Sequence, residues 1–220
     1  MNTRMNTQMN TQMNTPMNTR MNNVELAAAI TMPNPAHLDA LRNRLTADAE
    51  TEGLLDIAYR TVDSPFGALL VAATTAGVVR VAFEREGHDS VLEDLAGSIS
   101  PRILRSGRRT DAVARQLDEY FAGRRRTFEV DVDLQLVHGF RRDVIAHLAE
   151  IGYGTTASYA AVANAVGNPA AVRAVGSACA HNPVPVVLPC HRVVRSDGSL
   201  GQYLGGAETK AALLAMEAAA

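Results

Sequence analysis

Apolar positions along the 220-residue chain change period several times, and each change marks an element. Between Ala36 and Leu55, Leu38, Leu41 and Leu45 fall three and four apart, which predicts a helix with one apolar face. From Tyr59 the period shortens. Arg60–Val62, Ala68–Ala73 and Val78–Phe83 are short β-branched runs, parted by the turn-like Ser64-Pro65-Phe66-Gly67 and Thr75-Ala76-Gly77. They predict a three-stranded meander. Val113, Leu117 and Phe121 return to helical spacing over Asp111–Phe121, with Gly123 suited to the stop. Phe128–Leu134 then alternates, as a further strand would.

A second segment opens near Phe140, where Phe140, Val144, Ile145 and Leu148 line one helix face before the Gly152-Tyr153-Gly154 turn. Ser158–Val166 predicts a short helix, Gly167-Asn168-Pro169 a turn and Ala170–Ala180 a second helix, the outline of a helix-turn-helix. The second helix is rich in small residues (Ala170, Ala171, Ala174, Gly176, Ser177, Ala178), which suits close packing against a neighbour or entry into a groove. The fold class expected is α+β: a small N-terminal α/β domain with an antiparallel meander, then a mostly helical domain. The divisions are 1–35, a low-complexity tail without stable structure; 36–58, an adapter helix; 59–136, the N-terminal domain; and 137–220, the C-terminal domain. The tail repeats M-N-T-x from Met1 to Asn22, and Asn and Thr give no apolar face to pack.

Composition changes little: 47% hydrophobic and 20% charged residues are ordinary for a globular protein. A net charge of -2 does not announce a nucleic-acid partner. Between Val137 and Ala220 six basic residues face five acidic ones, so a partner held by many phosphate contacts is not expected. No apolar run approaches the ~20 residues of a membrane span, and no charged-then-apolar leader opens the chain. Cys179 and Cys190 are too few for a disulfide framework and read as free thiols in a reducing, cytoplasmic setting.

The chemistry concentrates at Asn182-Pro183-Val184-Pro185-Val186-Val187-Leu188-Pro189-Cys190-His191-Arg192, an apolar, extended-looking run that delivers a cysteine followed at once by a histidine. A thiol with a pKa near ~8.5 is mostly protonated at neutral pH and needs a base. Neighbours in an extended chain point to opposite faces, so a bridging water is the natural relay from Cys190 to His191.

With Gly201-Gln202-Tyr203-Leu204-Gly205-Gly206 behind it, this stretch resembles the active-site signature of the O6-alkylguanine-DNA alkyltransferases, the methylated-DNA–protein-cysteine methyltransferases. Tyr153-Gly154-Thr155, Ser158-Tyr159 and Arg173-Ala174-Val175-Gly176 resemble the DNA-binding helices of the same family. The likeness is close over about 138–220 and looser from Tyr59, through Asp63-Ser64-Pro65 and Tyr120-Phe121. It implies transfer of an alkyl group from guanine O6 to Cys190, once per chain, because a thioether resists water. Cys190, His191, Glu217, Tyr159 and Asn182 then form the reacting set: Glu217 orients His191, Tyr159 gives a proton to the departing base, and Asn182 braces the turn. Arg173 fills the gap left by the flipped nucleotide, with Ala174, Gly176 and Ser158 also on the DNA side. Pro185, Val193, Tyr203, Leu204 and Gly205 surround the base. The implied partner is double-stranded DNA carrying O6-alkylguanine, with O4-alkylthymine an open second substrate, bound by a monomer through the minor groove and without a membrane. No metal or cofactor is expected, since no cysteine precedes Cys179.

Three positions depart from the family pattern: Leu204 where many relatives have Ser, Ile145 where Trp is frequent, and Gly152 for a common Pro. Two other functions remain open on the residues alone. A cysteine hydrolase or acyl transferase would turn over many substrates, and a lesion-recognition module would bind without reacting.

Overall fold

The structure is a computed structural model that describes residues 34–219. The expected tail therefore lies outside the described residues, apart from its last two positions. Helix α1 (Pro35–Thr51) opens with proline in its first turn, and the Asn34 side chain accepts from the Ala36 N–H at 3.0 Å. It stops short of the expected 58, because Gly53 turns at φ 67° and Ile57 already belongs to a strand. Its leucine stripe is also not its packing face: Leu45 is 59% exposed. Thr46 is the buried residue of the helix, its hydroxyl donating to the Arg105 carbonyl.

From Asn43 onward the chain forms one compact unit. Strands β1 (Ile57–Val62), β2 (Leu69–Ala73), β3 (Val78–Phe83) and β4 (Ile103–Arg105) make a sheet of order β3-β2-β1-β4. The three meander strands are antiparallel, and β4 lies parallel to β1. Every residue of β2 is buried because both faces are covered. Leu70 and Ala72 meet Val91 and Leu95 of α2 (His88–Ser98), while Leu69 and Val71 share a cluster with Val113 and Leu117 of α3 (Asp111–Phe121).

The strand expected at Phe128–Leu134 does not form. Phe128, Val130, Val132 and Leu134 do turn toward the core as the alternation predicts. The backbone of Glu129, however, is taken by a side chain: Gln116 accepts from its N–H at 2.7 Å and donates to its carbonyl at 3.1 Å. Only Val132 bridges to the sheet, at Val78. Along β3 the Val81 N–H is satisfied by the Pro183 carbonyl instead, at 2.8 Å.

The remaining elements are α4 (Gly139–His147), β5 (Ala157–Ser158), α5 (Tyr159–Ala165), α6 (Val172–Ala180), β6 (Val193–Val194) and α7 (Ala207–Ala218). The helix-turn-helix is α5 and α6. Ser158 caps α5 by accepting from the Ala161 N–H at 3.0 Å. Ile145 of α4 is fully buried, and one apolar cluster runs from Val62 and Phe83 of the sheet to Leu213 of α7. This is the mixed α+β architecture expected, with the helical part packed on one sheet face.

Candidate active site

Every residue from Asn182 to Val194 is buried. An extended run could not bury so much backbone without a strand partner on each side, and the segment is in fact folded on itself. The Leu188 N–H reaches back to the Val184 carbonyl at 2.9 Å. Asn182, with no exposed surface, holds the turn: its Oδ1 accepts from the Val184 N–H at 3.0 Å and its Nδ2 donates to the Leu188 carbonyl at 2.7 Å. Val186 is thereby kept at φ 73°, a conformation costing a β-branched residue about 1–3 kcal/mol. Cys190, His191 and Arg192 then form a 3-10 turn. The reason for separating thiol from imidazole is therefore the roughly 120° rotation between successive residues of such a turn, not an extended backbone.

His191 and Cys190 are 0% and 1% exposed. Glu217, near the end of α7, is the hub beneath them. Its Oε1 lies 3.0 Å from His191 Nε2 and accepts from the Tyr120 hydroxyl at 2.6 Å. Arg192 clamps both oxygens, Nη2 to Oε1 at 2.8 Å and Nε to Oε2 at 2.9 Å, and donates from Nη1 to the Ile151 carbonyl. The Gly154 N–H donates to Oε2 at 3.1 Å. Burial alone would raise the Glu217 carboxyl, but donors on His191, Arg192 and Tyr120 hold it well below the usual carboxylate range. An ionised carboxylate only accepts, so His191 Nε2 carries its proton and the Nδ1 lone pair is free. Nδ1 is buried without a hydrogen-bond partner. Burial, opposed by Glu217, also lowers the imidazole pKa, which keeps the ring neutral and able to take a proton.

The thiol itself is quiet at rest. Burial pushes Cys190 up to about 11, against a hydrogen bond from the Asn182 side chain and the charge of Lys210. Cys179 is raised by burial to about 12. Lys210 of α7 is wholly buried, with Nζ donating to the Val193 carbonyl at 2.6 Å and lying 5.8 Å from the centre of the Tyr159 ring. Tyr159 starts α5, and its hydroxyl occupies the space where Gly201 lacks a Cβ. Burial first, then Cys179 and Cys190, raises its pKa, so the phenol remains a donor.

Tyr203 is buried, packed edge-on against Phe83 of β3 at 5.6 Å and against His191 at 6.2 Å between ring centres. Gly205 allows this approach, since a Cβ there would lie 2.9 Å from the Phe83 ring. Pro185 and Val193 are buried and Leu204 is half-buried. On α6, Arg173, Ala174 and Ser177 are exposed along one face, whereas Gly176 is half-buried and a Cβ there would lie 4.0 Å from the Tyr159 ring. Ser158 spends its hydroxyl on the α5 cap. Of the predicted residues, the structure thus brings Cys190, His191, Glu217, Asn182, Tyr159 and Tyr203 together and leaves Arg173 and Ala174 on an outer helix face. Sequence reading gave no role to Tyr120, Arg192, Lys210 or Phe83. The single lysine of the chain, in a helix otherwise rich in alanine and leucine, was one available signal.

Comparison with known proteins bears on the family of the chain. Residues 57–134 match the family described as 6-O-methylguanine DNA methyltransferase, ribonuclease-like domain, and residues 139–219 match its DNA binding domain. A methylated-DNA–protein-cysteine methyltransferase of Mycolicibacterium paratuberculosis is 40% identical, over 73% of this chain and 92% of its own. The crystal structure of Mycobacterium tuberculosis O6-methylguanine methyltransferase superposes with a TM-score of 0.65 at 34% identity, over 74% of this chain and 93% of that one. A structure of Mycobacterium tuberculosis OGT in complex with DNA gives 0.63, with the same identity and coverage. Such identity over nearly the whole of a curated relative, with both domain descriptions matched in order, means that the chain belongs to the O6-methylguanine DNA methyltransferase family.

Proposed function

We propose that this DNA-repair methyltransferase moves one alkyl group from O6 of a guanine in duplex DNA onto Cys190 Sγ, once per chain and irreversibly. The observation that carries the reading is a buried cysteine beside a neutral histidine whose Nε2 is committed to an ionised Glu217 and whose Nδ1 is free. The Sγ–H proton passes through a water to Nδ1 as sulfur attacks the alkyl carbon. The Sγ–C bond forms, the C–O6 bond breaks, and the electron pair goes to the purine. The base leaves neutral by taking a proton from the Tyr159 hydroxyl. Burial keeps the resting thiol protonated, so attack depends on the relay to His191 taking its proton.

A thiol only 1% exposed requires the site to open. The reading has the base turned out of the helix, with Arg173 filling its place in the stack at a cost of a few kcal/mol. It enters between Tyr159 and the Gly201–Gly205 segment. The Val193 carbonyl, already accepting from Lys210, keeps a second lone pair for the purine. The slim, nearly uncharged face of α6 suits the minor groove. In this reading residues 59–136 support the site, 137–220 carry it, and the protein acts as a cytoplasmic monomer, where free thiols persist. Burst stoichiometry tests it: methyl transferred should equal chains present, and fresh substrate should add nothing. Continued turnover contradicts it.

A further inference from the structure

Two polar atoms beside Cys190 are buried without a hydrogen-bond partner: His191 Nδ1, explained above, and the hydroxyl of Tyr203, which no step so far uses. Their rings stand edge to face, 6.2 Å apart at 79°, and Phe83 also packs edge-on with the tyrosine ring, 5.6 Å between centres. A buried hydroxyl left unsatisfied costs about 1–3 kcal/mol, and a phenylalanine would fill the same space without that cost. A buried water is stable where it finds about three polar partners. Nδ1 and Sγ supply two.

We propose that the Tyr203 hydroxyl is the third partner of the water that links Cys190 to His191, a positioning residue for proton transfer. The proposal rests on the alkyl-transfer reading. In the resting site the Sγ–H donates to the water and the water donates to Nδ1. Its second hydrogen is accepted by Tyr203 Oη, which fixes its orientation. As sulfur attacks, the water takes the thiol proton and passes its own to Nδ1. Tyr203 neither gains nor loses a proton, and burial keeps its pKa well above the ordinary 10.0, so it does not compete as a base.

The test is Tyr203→Phe in the full chain, with single-turnover transfer from an O6-methylguanine duplex and affinity for that duplex measured separately. The ring and its packing remain, so affinity should hold while the transfer rate falls roughly ten- to a hundredfold. Labelling should still reach one methyl per chain. A variant as fast as the parent overturns the proposal, as does a loss confined to affinity. Should the parent itself take up no methyl, the alkyl-transfer reading fails instead. A second measurement does not depend on the variant folding. A high-resolution crystal structure of the parent should hold a water within hydrogen-bond distance of Tyr203 Oη, His191 Nδ1 and Cys190 Sγ, and a water bonded to the latter two alone contradicts it.

Discussion

At Glu217 four donor groups converge on one carboxylate, and three of them, Tyr120, His191 and Arg192, are themselves buried. Replacing it with glutamine leaves the Arg192 charge without a counterion in a dry site. Glu217→Gln should therefore cost about 3–5 kcal/mol in denaturant unfolding and slow transfer, since Nε2 then has no charge to hold its proton. The same residues set the acid limit. His191 and Glu217 both have lowered pKa values in the fold, so the unfolded chain binds more protons at acid pH. Their stabilisation is complete above their ordinary values of 6.5 and 4.5 and is lost as pH falls below each. The thermal midpoint should drop between pH 7 and 5, and His191→Gln should flatten that first limb. A midpoint that rises on acidification would contradict the assignment.

Among the elements, α5 and the loop before α7 are held together by a missing side chain. A methyl at Gly201 would displace the Tyr159 hydroxyl, so Gly201→Ala should slow transfer severalfold at unchanged far-UV circular dichroism. The exposed face of α6 carries one charge, Arg173. Affinity for DNA should depend weakly on salt, with a logarithmic slope shallower than about -3. A steep slope would mean phosphate contacts elsewhere. Elements with strong periodicity were legible in the sequence: the meander, α3 and the helix-turn-helix. Helix α2 was not, because it turns only Val91 and Leu95 inward. Strand β4 is three residues long and carries no pattern. At Phe128–Leu134 the alternation was real, but a tertiary partner, Gln116, replaced the neighbouring strand. The Cys-His pair was visible as a motif, whereas the roles of Arg192 and Lys210 depend on partners distant in sequence, Glu217 and the Val193 carbonyl.

Over the whole molecule, the sheet is part of the site's support. Phe83 belongs to β3, yet its ring packs on Tyr203 and closes over Gly205. The Pro183 carbonyl, one residue beyond Asn182, completes the β3 edge. Phe83→Ala should thus cost about 3–5 kcal/mol of stability and also slow transfer, although it lies outside the helical part. The central claim is that Cys190 Sγ is the atom that receives the alkyl group. Peptide mass mapping after incubation with an O6-methylguanine duplex tests it most directly. One added methyl on the Cys190 peptide, none on the Cys179 peptide, and none in Cys190→Ala is the predicted result. Transfer that survives Cys190→Ala, or an unlabelled Cys190 beside repaired DNA, would contradict it.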